Sequence, residues 1–399
     1  MKKRKNILKK WLDDFSKKRS RVGSILAWQQ VGRPVWTPRQ YDFLSEEGYQ
    51  KNVIVFRCVN LIARNLASVP WKLYKGEEEL DTHPLLDLIK NPNPMHTGVS
   101  LLETMASHIL LSGNCYVEAV GEDSELRELY LWRPDRVQVV PGEGGIPEAY
   151  IYRVNGHDRS VSIDERDGKS SVLHIKTFHP LNDWYGMSAI EAASSAIDQH
   201  NAVGGHNLAL LQNGGRPTGA LMVRPNPDSA AHLSAEERQT LKDELRLAYE
   251  GADNAGRMMV LEGNMDWKEM GLNPKDLDFV NGKNLSAREI AQAYGVPSML
   301  VGVPGESTFA NYKEARLHLW EDTILPTLDK IIAEVNRWIC LYYDENLHFK
   351  YDADSIPALA VRREVLWSKI QNSDFLTMNE KRSALGFGPI DESLAHRKE

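Results

Sequence analysis

Two aspartates, Asp352 and Asp354, sit two residues apart in HFKYDAD, a spacing that puts both carboxylates on one strand face. Paired carboxylates can bind a cation or divide acid and base roles. Nothing nearby in sequence supplies a third ligand, so the pair reads as solvation of a strand end. His200 and His206 are six apart, about 240° around a helix, and cannot share one metal. His174 and His179 straddle a strand end beside Pro180 without a partner at ligand spacing. The loop Gly302-Val-Pro-Gly-Glu-Ser-Thr-Phe-Ala310 has the glycines of a phosphate cradle but not GxxxxGK[ST]. Ser307 is no elbow serine, because position 309 is Phe rather than Gly. Cys58, Cys115 and Cys340 are far apart in apolar surroundings and read as buried reduced thiols. These patterns predict no catalytic residue, no metal site and no cofactor. The enzyme alternative is a metal-dependent hydrolase or nuclease built on Asp352, Asp354 and His174.

Composition narrows the class. The chain has 399 residues, 42% hydrophobic and 26% charged, which suits a globular protein with a core in two or more lobes. The net charge of -7 is unevenly spread. Residues 1 to 22 hold ten Lys/Arg, among them Lys2, Lys3, Arg4, Lys5, Lys9 and Lys10, against two Asp. That places +8 in front of a body at -15. The basic arm is a candidate for contacting nucleic acid, a partner or a membrane surface, the adaptor alternative. No run of 18 apolar residues predicts a membrane span, and the Lys/Arg-rich start does not read as a secretory signal.

The elements follow from periodicity. Ile54, Cys58, Ile62 and Leu66 share a helix face, ended by Val69-Pro70, and WKLY is a short strand. Residues 84 to 90 form a short helix stopped by Asn91-Pro-Asn-Pro94, and Ser100 or Thr97 caps a helix from Leu101 to Leu111 that Gly113 closes. Short strand-like runs from 115 to 178 predict an antiparallel sheet, so this first region is α+β. Residues 188 to 213 predict a helix rich in Ala, Ser and Gly, with no Lys or Arg from Met187 to Asn213 and with Glu191 and Asp198 negative. A compact segment with strands GALMV, RMMVLEG and MDWKEM and a helix capped by Ser234 lies before a second helix, from near Asp276 to Gly295-Val-Pro297. The longest helix runs from Asn311 to about Tyr343 with a heptad-like stripe, and Pro326 inside it predicts a kink. Residues 357 to about 385 read as helical again.

An ordered set of moderate motifs spans residues 45 to 390. It includes Arg57-Cys-Val-Asn60, Val69-Pro-Trp71, His83-Pro84-Leu85-Leu86, Asn91-Pro-Asn-Pro94, Gly113-Asn114-Cys-Tyr116 and Leu131-Trp-Arg-Pro134. It continues with Val172-Leu-His174-Ile, Gly186-Met-Ser188-Ala-Ile190-Glu-Ala, Asn213-Gly-Gly-Arg-Pro217, Ile290-Ala-Gln-Ala-Tyr-Gly295-Val-Pro297, Leu325-Pro326 and Met378-Asn379-Glu380-Lys-Arg382. In this order the motifs resemble the portal proteins of tailed bacteriophages and phage-like gene-transfer particles, in the short form paired with a scaffold-independent capsid.

The resemblance implies an α+β portal fold and a ring of twelve copies at one capsid vertex, a conduit for DNA packaging and ejection without enzymatic activity. It implies an N-terminal arm and linker (1-44), a wing (45-186 and 313-356), stem helices (187-213 and 276-297) and an α/β clip (214-275). A tunnel-loop region (298-312) and a short crown with the C-terminal tail (357-399) complete it. The implied partners are capsid protein, the terminase large subunit, a head-tail adaptor and double-stranded DNA in the channel, with no membrane. Ser307, Thr308, Phe309 and Asn311 are then tunnel-facing expectations, and the basic arm a contact for capsid or DNA. The implied location is the virion or phage-like particle, assembled in bacterial cytoplasm. A stem without Lys or Arg, with Glu191 and Asp198 on it, would let phosphate slide instead of gripping it.

Overall fold

The computed structural model describes residues 40–122, 125–142, 145–164, 166, 168–212, 219–223, 236, 239–240, 243, 265–269, 279–305, 309–339, 342–343, 346–384 and 390. The basic arm, Ser307, Thr308, Cys340 and the helix predicted after Ser234, apart from four of its residues, lie outside these. The chain divides into two compact units, Met1–Lys51 with Ser194–Phe279, and Asn52–Ala193 with Val280–Glu399.

The larger unit opens at Asn52, whose Oδ1 accepts from the backbone of Ile54 (3.0 Å) and Val55 (3.3 Å). Such a cap is worth about 1 kcal/mol and starts helix α1, Val53–Ala67. The predicted stripe is its inner face: Ile54, Val55, Cys58, Val59, Ile62, Ala63, Leu66 and Ala67 are buried. Strands β1 (Trp71–Lys75) and β2 (Glu78–Leu80) reverse at Gly76, which has φ +61. Helix α2, Pro84–Lys90, begins with proline at its first position, where no N–H is needed, and His83 Nδ1 caps it from Leu85 N at 3.1 Å. Helix α3, Gly98–Ser112, is capped by Thr97, which accepts from Ser100 N; Ser100 itself lies within the first turn.

Six strands follow: β3 (Asn114–Glu122), β4 (Glu125–Trp132), β5 (Val137–Pro141), β6 (Pro147–Val154), β7 (His157–Ser162) and β8 (Val172–Lys176). The predicted antiparallel sheet is two three-stranded antiparallel sheets, ordered β4-β3-β8 and β5-β6-β7. Alternation cannot say where one sheet ends, because both show the same period. Tyr116, Trp132, Val137, Val139, Tyr150 and Val172, drawn from both sheets, form one core cluster. Trp132 stacks on Tyr152 at 4.7 Å. A short helix α4, Ala189–Ala192, begins at Ser188, whose Oγ accepts from Glu191 N.

The single helix expected from 188 to 213 is broken. Ala193 leaves helical geometry at φ -83, ψ 0, and α5, Ser194–Gln212, starts after it in the smaller unit. There α5 meets residues 41–50, where helix Tyr41–Leu44 passes into a π-helical turn, and Asn201 Nδ2 donates to Glu47 O at 2.8 Å. Strands β9 (Gly219–Val223) and β10 (Met265–Glu269) pair antiparallel, matching the predicted GALMV and MDWKEM runs.

Helix α6, Phe279–Ala293, buries Ser286, Ala287, Ile290 and Ala291 and is followed by Gly295 at φ +65. The predicted long helix is α7 (Phe309–His318), a π-helical turn (Leu319–Ile324) and α8 (Leu325–Ile339). The irregularity expected from Pro326 is this π turn: Leu325 N bonds back to Trp320 O, five residues away, immediately before the residue that has no N–H to give. On α8, Leu328, Ile331, Ile332, Val335, Trp338 and Ile339 are buried. Strand β11, Leu347–Tyr351, pairs with β1, and Asn336 clamps its Phe349 from α8, accepting from N at 2.7 Å and donating to O at 3.0 Å.

Two expectations are corrected at the C-terminal side. β11 ends at Tyr351, and Asp354 lies in a 3₁₀ turn, Ala353–Ser355, so the two aspartates do not share a strand face. The helical stretch from 357 is two helices, α9 (Ala360–Gln371) and α10 (Met378–Ala384). Thr377 and Glu380 separate them with a capping box: Glu380 Oε2 accepts from Thr377 N (2.8 Å), and Thr377 Oγ1 accepts from Glu380 N (3.3 Å).

Candidate functional site

A dense set of polar contacts stands where α3 passes into β3 and where β8 leads toward α4. Gly113 has φ +72, a conformation glycine adopts without strain, and a Cβ there would stand 2.6 Å from the Met187 carbonyl carbon. Asn114 follows, buried. Its Oδ1 accepts from Gly186 N (2.8 Å) and faces His174 Nε2 (3.0 Å), while Nδ2 donates to Ser112 O (2.8 Å) and Gly186 O (3.3 Å). Thr177 Oγ1 lies 2.6 Å from Met187 O and 3.1 Å from Gly113 O. The junction fixes the backbone that delivers Ser188 to its capping position.

His174 lies within β8, which ends at Lys176, so the strand end falls between it and His179 as the sequence suggested, and its ring stacks on Tyr116 at 4.3 Å. Burial lowers its pKa to about 3, so the ring is neutral. Burial also pushes the Cys58 thiol up to about 12 and raises Cys115 further, which makes both inert, as expected of buried thiols. Neither chemistry-bearing group behaves as a nucleophile or a proton shuttle near neutral pH.

A second polar cluster was not anticipated from sequence. Glu118, buried in β3, accepts from Trp132 Nε1 at 2.9 Å and pairs with Arg159 of β7, so a carboxylate ties the two sheets together. The available signal was a charged residue inside an apolar strand. Asn93 plays a similar part in the Asn-Pro-Asn-Pro stop, donating to Leu129 O (2.7 Å) and accepting from Met95 N and His96 N.

The remaining predicted residues are dispersed. Glu191 is half-buried in α4, and Asp198 is half-buried beside Leu44, Glu47 and Gly48. Phe309 belongs to the first turn of α7 instead of the loop; Asn311, where the helix was expected to start, lies in the same turn and is exposed. Asp352 lies 3.7 Å from Lys72 Nζ. His200 is buried, and the His206 ring packs 4.8 Å from Phe279. No group of three His, Cys, Asp or Glu fit to hold a metal occurs among the described residues. Among them also, no helix is long and apolar enough to cross a membrane.

The model of the phage portal protein family matches residues 53–386. The chain belongs to the phage portal protein family. Portal relatives include the probable portal protein of Streptomyces phage phiC31, 25% identical over 86% of this chain and 76% of that protein. An uncharacterized protein of Rickettsia bellii (strain RML369-C) is 43% identical over 87% of this chain and 89% of its own length. Among solved structures, a chain in the neck of an empty GTA particle, computed with C6 symmetry, has TM-score 0.71 and 42% identity, covering 92% of this chain and 99% of its own. A chain in the neck of a native GTA particle, computed with C12 symmetry, has TM-score 0.68 and 41% identity over the same shares. An HK97-family portal from Corynebacterium diphtheriae shares the fold at 16% identity and TM-score 0.56, over 77% of this chain and 96% of its own.

The portal motifs now have physical content. Gly113-Asn114 and Gly186-Met-Ser188 are the two sides of one junction, 72 residues apart in sequence. Tyr294-Gly295-Val-Pro297 is another: Thr323 Oγ1 donates to Gly295 O at 2.7 Å, and a Cβ at Gly295 would meet that oxygen at 2.5 Å. Arg288 Nη2 donates to Pro304 O at 2.9 Å, tying α6 to the segment before α7.

Proposed function

We propose that this portal protein assembles as a ring of twelve at one vertex of a phage-like particle. The ring is the conduit through which double-stranded DNA enters and leaves, and it performs no reaction of its own. The observation that carries this reading is the 41–42% identity, across nearly the whole length of both chains, to chains in GTA particle necks, one computed with C12 symmetry. Twelve copies around an axis would place equal surfaces toward a common channel.

In this reading residues 187-213 and 276-297 are the stem, 214-275 the clip, 298-312 the tunnel region, 45-186 with 313-356 the wing, and 357-399 the crown and tail. The clip would meet first the terminase large subunit and then the head-tail adaptor; the wing would meet capsid protein. Residues 1 to 22 would contact capsid or packaged DNA. Ser307, Thr308, Phe309 and Asn311 would face the tunnel. Assembly would take place in the bacterial cytoplasm before incorporation into the particle.

The conduit reading is supported over the hydrolase by geometry. Asp352 is engaged with Lys72, Asp354 sits in a turn, and His174 is neutral and stacked inside a core. Electron microscopy of the purified chain tests the proposal. Closed rings with an axial opening are expected; a chain that stays monomeric in all conditions, including with capsid protein, would contradict it.

A further inference from the structure

The segment after β8 carries two of the most exposed large apolar side chains among the described residues, Phe178 at 83% and Leu181 at 91% relative exposure. They are three residues apart, separated by His179-Pro180, with no formal charge between them. Their backbone is held by a series of local bonds. His179 Nδ1 accepts from Leu181 N at 3.0 Å, and Asn182 Oδ1 accepts from Trp184 N (2.9 Å) and Tyr185 N (3.1 Å). Lys176 Nζ donates to Asp183 O. On the far side Tyr185 OH accepts from Val139 N at 2.9 Å, and Trp184 and Tyr185 pack against the two-sheet core. Thr177 and Gly186 belong to the Asn114 junction.

A loop this well tied down loses little freedom on binding, and low ordering cost is a property of contact surfaces. Large apolar side chains standing out from the surface match the centre of an interface, and the exposed Lys176 and Asp183 on either side match its polar rim. A closed ring of identical chains with more than two members needs a contact between two different patches on each copy, one presenting and one receiving. We propose that residues 178–181 are the presenting patch, a preformed apolar knob that each portal protomer inserts against its neighbour in the ring. This rests on the ring reading above and adds the residues of the contact. The two neck chains similar to this one come from particles treated with C6 and C12 symmetry, which makes a second copy of the chain the occupant the observations favour.

The test uses the full chain with the photo-crosslinking amino acid p-benzoylphenylalanine in place of Phe178. Irradiated rings should give a ladder of covalently linked chains, and mass spectrometry of the joined peptides should identify the receiving patch. In parallel, the Phe178→Ser/Leu181→Ser double variant should need at least tenfold higher protein concentration for half-maximal ring formation, with an unchanged circular-dichroism spectrum. Rings that form but yield no chain-to-chain crosslink from position 178 would overturn the proposal and leave the ring reading standing. Crosslinks only to another protein of the particle would overturn it too. A chain that never forms rings removes both. Should the double variant lose its fold, the crosslinking result alone decides.

Discussion

Asn114 holds the backbone of Gly186 with both ends of its amide, Oδ1 accepting from Gly186 N at 2.8 Å and Nδ2 donating to Gly186 O at 3.3 Å. The same oxygen faces His174 Nε2 at 3.0 Å. Asn114→Ala would leave a buried N–H and a buried imidazole without that partner, a loss of about 1–3 kcal/mol. Urea unfolding of the variant and the parent at equal protein concentration checks the figure, since assembly makes apparent stability depend on concentration.

Two glycines with positive φ should respond differently to a methyl group. Gly156, at φ +83 in the Asn155-Gly156 hairpin turn, has nothing within 4 Å of a Cβ, so Gly156→Ala costs only left-handed strain, about 1–2 kcal/mol. Gly113→Ala adds a collision with the backbone of Gly186 and Met187, which cannot swing aside as a side chain can. The expected loss is above about 3 kcal/mol, read as a larger fall in unfolding midpoint.

Acidification should weaken the fold through its buried histidines. His174 titrates near 3 in the folded protein and His108 near 4, both lowered by burial, against an ordinary value of 6.5. Between those values the unfolded chain binds the extra proton. Stability is therefore complete above about pH 6.5 and falls as pH drops toward 3, by up to about 1.4 kcal/mol per pH unit for each histidine. His174→Gln should remove one proton's worth of that slope between pH 6.5 and 4.5 in urea unfolding. Carboxylate contributions are common to both proteins, so the difference reports His174.

The proposal that residues 187-213 form an acidic stem can be tested by reversing its charge. Glu191→Lys together with Asp198→Lys should make assembled rings retain short double-stranded DNA several-fold more tightly at about 50 mM salt, with the gain fading at higher salt. Filter retention across a salt series measures it. Equal retention by both proteins would place these carboxylates away from the DNA path.

Local structure was legible wherever one residue type decides a local geometry. Thr97, one of two cap candidates with Ser100, caps a helix, the short helix from residue 84 is in place, Gly113 ends another, and the stripe Ile54, Cys58, Ile62, Leu66 is an inner face. What escaped was decided by distant or competing partners. Nothing around Asn114 indicates that its amide reaches a glycine 72 residues on. The helical reading ran through Ala193 and through the segment between α9 and α10, because no proline or glycine marks either break. Thr377 and Glu380 stand at capping-box spacing in the sequence, a signal of the second helix start that the reading of one helical stretch missed. Asp352 and Asp354 were paired by counting along a strand that ends one residue too early. The family was legible for a different reason: the resemblance rests on many moderate motifs taken in order, and Gly113-Asn114, Gly186-Met-Ser188 and Gly295 among them are junction residues.

Native mass spectrometry of the purified full-length chain tests the central claim most directly. A dominant species with the mass of twelve 45.2 kDa chains, closed into a ring, is expected. A monomer or dimer that persists at every concentration and in the presence of capsid protein would contradict it.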